Sequence, residues 1–129
     1  MTTNDRLLRF ALKLDGIASA GLGVLTLPFG TALGLPLPVA LGIGAFLIAY
    51  GAGVFFVGTR PAVNRAIVRV VVLGNVLWVV DSVLTIELDW FPLTAFGVVL
   101  VVLQAVAVAG FAALQVVGLN AAARTGVRA

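Results

Sequence analysis

With 129 residues, of which 62% are hydrophobic and only 10% charged, the chain lacks the charge that clothes a water-soluble domain, where about 25% is ordinary. The net charge of +3 would suit nucleic acid if the basic residues shared one solvated face; they stand instead at the ends of apolar runs, and nucleic-acid binding is set aside. Cysteine and histidine are both absent, which removes disulfides, thiolate or imidazole ligands for a metal or haem, and the commonest general base, so no cofactor is expected and an enzyme is disfavoured.

The first apolar run covers residues 7–27. Arg6, Arg9 and Lys13 share one face of its opening turns, from which long cationic side chains can snorkel to lipid headgroups. A secretory signal cleaved at Ala18-Ser19-Ala20 would need a longer apolar stretch after Lys13, and Asp15 interrupts the one present, so this run is expected to remain as a membrane helix. Pro28 to Pro38 reads as an uncharged turn, broken by proline and glycine. In the second run, residues 39–58, Ala45, Ala49 and Gly53 recur every four residues with Gly42 near the same stripe, which predicts a close helix contact. Gly21-Leu22-Gly23 in the first run carries the same expectation.

Thr59 to Arg65 is a short basic loop, and the third run covers residues 66–88. On a helix advancing about 100° per residue, Asn75, Trp78, Ser82 and Thr85 fall within a face about 80° wide, with Gly74 and Asp81 at its edge. Glu87 to Pro92 forms an acidic turn with Trp90 and Phe91 as interfacial aromatics. The fourth run covers residues 93–119, where Gln104 shares a face with Gly97, Phe111 and Gln115, and a basic tail follows from Asn120.

Each run is long enough to cross a hydrocarbon core of about 30 Å at roughly 1.5 Å per residue. The fold class is therefore all-α: one integral membrane domain over residues 1–129, a transmembrane four-helix up-down-up-down bundle, with sequence neighbours as antiparallel neighbours in space. All eight lysines and arginines lie in the N-terminal segment, in the second-to-third loop with the start of the third run, or in the tail. That bias predicts a multi-pass protein of the inner (plasma) membrane with both termini in the cytoplasm.

Polar residues in such spans turn towards the bundle interior or a water-filled cavity, and an ionisable one is a functional-site hypothesis by default. Asp15 is the first candidate: it shares a face with Ser19 and Thr26, and can escape the cost of a buried charge by taking up a proton. Counting residues from the helix ends brings Tyr50, Asn75 and Gln104 to a similar depth, so Asp15, Asn75 and Gln104 are expected to meet. Trp78, Asp81 and Ser82 add an aromatic surface and a carboxylate, as a small cation-binding cavity would need. Against each stands a plainer role: Asn and Gln hydrogen bonds between helices (the better reading for Gln115), Trp78 as a space filler, Asp81 as a headgroup contact, and the Tyr50 hydroxyl bonded to a carbonyl.

The segments Arg6 to Gly16, Tyr50-Gly-Ala-Gly53, Gly58-Thr-Arg-Pro61, Asn75 to Ser82 and Gln104 to Gln115 resemble uncharacterised four-helix integral membrane proteins of high-GC actinobacteria, distantly DoxX-like. That resemblance implies a bacterial membrane protein, and through the DoxX-like group a redox membrane subunit. The first-span carboxylate is also similar to that of small multidrug-resistance exporters, although their carboxylate is a Glu and their third-span glycine motif is missing here. Three readings follow. The chain binds a lipophilic or cationic small molecule or docks, as a homo-oligomer or onto a larger membrane partner, within the lipid bilayer; it is a proton-coupled exporter using Asp15; or it is a DoxX-like redox subunit.

Overall fold

The computed structural model describes the backbone of residues 3–124 and side chains within residues 6–121, so the tail from residue 125 onward lies outside the described residues. Four helices follow one another: α1 (Thr3–Phe29), α2 (Leu37–Thr59), α3 (Arg65–Glu87) and α4 (Ala95–Arg124), with a short 3-10 turn at Gly30–Leu33. Each holds a stretch long and apolar enough to cross a membrane, and the protein is a multi-pass membrane protein.

The helix ends follow local chemistry and depart from the sequence reading in three places: α1 runs through Pro28, α2 takes in Leu37 and Pro38 from the expected turn, and α4 continues through Asn120 to Arg124, into the expected tail. Helix α1 does not stop at Pro28 but carries it inside its last turn, ending at Phe29. Proline lacks one backbone donor, and so close to a helix end little of the ladder is lost. Gly34, with φ of +97°, supplies the left-handed residue that closes the 3-10 turn. Asn64 caps α3, its side chain accepting the Ile67 N–H at 3.1 Å. Thr94 precedes α4, where its hydroxyl accepts the Gly97 N–H at 3.0 Å and donates to the Ala32 carbonyl at 3.0 Å, while its N–H donates to Leu33 at 2.9 Å. One threonine thus caps α4 and fastens it to the turn after α1.

At the opposite end, where the arginines gather, Arg9 departs from expectation. Arg6 is exposed, but Arg9 is buried and does not reach outward with it. Its guanidinium donates to the carbonyls of Gly58 at 3.0 Å, Pro61 at 2.8 Å, and Arg60. These carbonyls lie at and just beyond the C-terminus of α2, where unpaired acceptors and the helix dipole both favour a cation. The planar fork of arginine reaches several carbonyls at once, which explains why this residue turned inward.

Helices α1 and α2 approach through glycine. A methyl added at Gly16 would lie 2.6 Å from the Gly51 oxygen, and one at Gly51 would lie 2.5 Å from the Gly16 oxygen. Gly23 and Gly44 meet in the same way, a methyl at Gly23 falling 2.7 Å from the Gly44 oxygen. The pairing of 16 with 51 and 23 with 44 makes the two helices antiparallel. Both partners run in sevens: Gly16, Gly23 and Gly30 on one side, Gly44, Gly51 and Gly58 on the other. Seven residues fall about 20° short of two full turns, so each series stays on one face. The stripe expected from Ala45, Ala49 and Gly53 is corrected by this: all three are exposed, and nothing lies within 4 Å of a methyl placed at Gly42 or Gly53. Gly21 is likewise open, and only Gly23 of that pair makes a contact. A spacing of four picked the wrong face because α2 carries small residues on two faces, Gly42, Ala45, Ala49 and Gly53 on one and Gly44, Gly51 and Gly58 on the other.

Helix α1 packs along both α2 and α4, and α3 packs along α4. Helices α2 and α3 are joined by a short loop yet their backbones scarcely approach, so the expectation that every pair of sequence neighbours would pack together holds for α1–α2 and α3–α4 but not for α2–α3, and the α1–α4 contact closes the bundle instead. The physical reason is steric: α2 spends its glycine face on α1, and the rings of Phe46, Tyr50 and Trp78 stand between α2 and α3. A buried cluster of Leu8, Leu12, Val54, Val68 and Val71 closes the basic end of the bundle.

A backbone contact cannot yield as a flexible side chain can, so Gly51→Ala should destabilise the protein by ~1–3 kcal/mol, as overpacking does. Gly53→Ala, two residues on and facing open space on the other side of the helix, should be neutral or slightly stabilising. Thermal unfolding of the two variants in the same detergent checks this, and equal melting temperatures would refute the glycine contact.

Candidate functional site

The Asp15 carboxyl lies at the centre of the bundle with no exposed surface. Its first partner is local: Ser19, one turn along α1, donates its hydroxyl to Oδ1 at 3.0 Å. The other oxygen receives groups from the three remaining helices. The Tyr50 hydroxyl stands 2.9 Å from Oδ2, the Asn75 amide donates to it at 3.0 Å, and the Gln115 amide donates at 2.9 Å. Asn75 sends its second amide hydrogen to Gln115 Oε1 at 3.0 Å, and its own oxygen lies 2.7 Å from the Tyr50 hydroxyl. The single Tyr50 hydrogen can serve only one of its two neighbouring oxygens; the other contact becomes a hydrogen bond when the carboxyl itself carries a proton.

This meeting follows from register. Asp15 lies nine residues from Arg6, Tyr50 ten from Arg60, Asn75 ten from Arg65 and Gln115 nine from Arg124. At about 1.5 Å per residue, all four sit roughly 13–15 Å from the basic end of their helices. Gln115, rather than Gln104, therefore joins Asp15 and Asn75, which corrects the expected trio. Depths counted from opposite ends of helices of unequal length do not agree, whereas a count from the basic end alone pairs Gln115 with Asp15.

Gln104 belongs to a second cluster nearer the acidic end. Trp78 donates its indole N–H to Gln104 Oε1 at 2.7 Å, and the Gln104 amide donates to Ser82 Oγ at 2.9 Å and to the Val101 carbonyl at 2.8 Å. The Ser82 hydroxyl turns back to the Trp78 carbonyl at 2.8 Å. Phe46 lies nearly parallel to both Tyr50 and Trp78, with ring centroids 6.0 and 6.1 Å away, so the two clusters are bridged by aromatic faces.

Between α2 and α3, where the backbones stay apart, lies a groove of about 490 Å³. Its walls are apolar except for Ser19, Tyr50, Asn75, Trp78 and Gln104. Asp15 does not line it; the carboxyl is screened behind its own partners. A smaller cavity of about 180 Å³ continues towards the acidic end, shares Trp78 and Gln104 with the groove, and is lined also by Ser82 and Asp81. Asp81 is exposed, and its carboxylate joins neither hydrogen-bonded cluster. Thus seven of the eight candidates read from sequence line one or other of two neighbouring cavities, and Asp15 stands behind Ser19, Tyr50 and Asn75 of the larger one.

Two residues escaped the sequence reading. Gln115 was assigned a plain bridging role, yet it completes the carboxyl's shell and is itself fully buried. Arg9 was read as one of three like cations, and only the three-dimensional approach of the α2 terminus distinguishes it. Comparisons with protein-family models, with curated proteins and with solved structures give no match to this chain.

Because the carboxyl shell is closed, deleting one member leaves buried polar atoms without partners. Gln115→Leu and Tyr50→Phe should each cost ~1–3 kcal/mol, the range for an orphaned buried group. Thermal or denaturant unfolding in detergent measures the loss. Wild-type stability in both variants would show that the shell contributes nothing.

Proposed function

We propose that this chain is a small multi-pass membrane protein that binds a lipophilic small molecule in the groove between α2 and α3, entered sideways from the bilayer. The observation that carries the reading is the separation of the α2 and α3 backbones, which leaves a groove of about 490 Å³ with apolar walls, a few convergent polar groups and an aromatic floor. Binding sites for small molecules share that volume range and that mixture. Phe46, at the groove wall, is more than half exposed, so its ring is accessible from the lipid side. The clustering of arginine and lysine supports a plasma-membrane protein with both termini in the cytoplasm.

The exporter reading places substrate and proton in turn on the Asp15 carboxyl. With donors from Ser19, Tyr50, Asn75 and Gln115 already on that carboxyl and no exposed surface, support goes to a fixed structural role beside a binding groove. A DoxX-like redox role would need a redox-active molecule in the same groove, and so it falls within the binding reading rather than beside it.

Gly74 offers a clean way to fill the groove, since it lines the groove and nothing lies within 4 Å of a methyl placed there. In a Trp90→Phe background, which leaves Trp78 as the remaining tryptophan, a dibrominated long-chain alcohol should quench emission with a saturable component. Gly74→Phe should abolish that component while the linear quenching by bulk lipid persists. Quenching that never saturates in the parent chain would refute a defined site.

A further inference from the structure

Resting on the groove as a binding site, the hydrogen-bond inventory of its polar wall fixes what kind of head group it accepts. Every donor hydrogen on that wall is already committed within the protein. The Ser19 hydroxyl is on Asp15, both Asn75 amide hydrogens are on Asp15 and Gln115, and the Tyr50 hydroxyl serves Asp15 or Asn75. The Trp78 indole hydrogen is on Gln104, and both Gln104 amide hydrogens are on Ser82 and Val101. The oxygens are not exhausted in the same way. A hydroxyl has two acceptor lone pairs and an amide oxygen two, so Ser19 Oγ, Asn75 Oδ1 and Gln104 Oε1 each retain capacity after these bonds are counted. This holds whether the Tyr50 hydrogen turns to Asp15 or to Asn75.

We infer that the groove selects lipophilic molecules bearing a hydrogen-bond donor, an aryl hydroxyl above all, and disfavours ligands whose head group can only accept. The acceptor-only wall meets a hydroxyl hydrogen, whereas an ether or ketone oxygen there would face lone pairs. The preference for an aromatic head comes from Phe46, whose ring lies near-parallel to Tyr50 and Trp78 and gives a flat surface beside the acceptors. An apolar tail then follows the valine-rich walls out into the lipid.

The test uses a matched pair of probes, a brominated para-alkylphenol and its O-methyl ether, titrated into the full chain carrying Trp90→Phe in bilayers. Saturable quenching of Trp78 is referred to each probe's mole fraction in the lipid. The phenol should bind about fivefold to tenfold more tightly, the worth of one hydrogen bond in an apolar setting. Gln104→Leu removes an acceptor and frees the Trp78 indole N–H towards the groove, so in that variant the preference should shrink or reverse towards the ether. Equal saturable binding of both probes by the parent chain overturns the donor preference and leaves the groove standing. An ether that binds better in the parent, or a phenol preference untouched by Gln104→Leu, overturns it as well. Absence of saturable binding by either probe removes the groove reading itself, and the inference with it.

Discussion

A single carboxyl gathers all four helices. Asp15 from α1 is bonded or in hydrogen-bonding contact with Tyr50 of α2, Asn75 of α3 and Gln115 of α4, all at one level of the bundle. Within lipid the hydrophobic effect does not drive helices together, because acyl chains are as apolar as leucine. Association must come from close packing and from polar groups that find nothing better in the surrounding hydrocarbon. A carboxyl with no exposed surface and a partner from every other helix is therefore a register mark. Sliding any helix by one turn would strip a donor from it and leave that group unbonded.

The glycine contact and the carboxyl divide the work of assembly. Close backbone approach at Gly16–Gly51 and Gly23–Gly44 fixes α2 against α1 along most of their length. Helix α3 has no such partner on its α2 side; it is held through α4, through Asn75, and through the Trp78–Gln104 bond. The groove is the geometric remainder. Drawing α2 onto α1 leaves a gap on α3's side, which the Tyr50–Asn75 contact and the Phe46–Trp78 ring contact cross. In water such an apolar cleft would collapse or aggregate, whereas in lipid an open apolar wall costs little.

Much of this was legible from residues alone, and the rest was hidden for identifiable reasons. Hydropathy and the placement of charges gave the four helices, since neither depends on which face is buried. The inward face of α3 was readable because polar residues in an apolar helix announce it: Asn75 and Ser82 are buried as the 100° step requires. The packing face of α2 was not readable in the same way. Its small residues occupy two faces, so a spacing of four points at Ala45, Ala49 and Gly53, while the true contact follows a spacing of seven shared with α1. Gln115 and Gln104 were exchanged because depths measured from opposite ends of helices of unequal length do not agree. Arg9 could not be told from Arg6, because what distinguishes it is a helix terminus 49 residues away in sequence.

The position of Tyr50 links these elements. Its hydroxyl belongs to the closed carboxyl shell, its ring stacks on Phe46, and it lines the groove. Asn75 Oδ1 faces the Tyr50 hydroxyl with one of its two lone pairs and keeps the other, while Oδ2 of Asp15 is already surrounded by Tyr50, Asn75 and Gln115. The groove thus borders the carboxyl's shell through Tyr50 and Asn75 without reaching the carboxyl, and the residues that hold the helices in register are the same ones that form its polar wall.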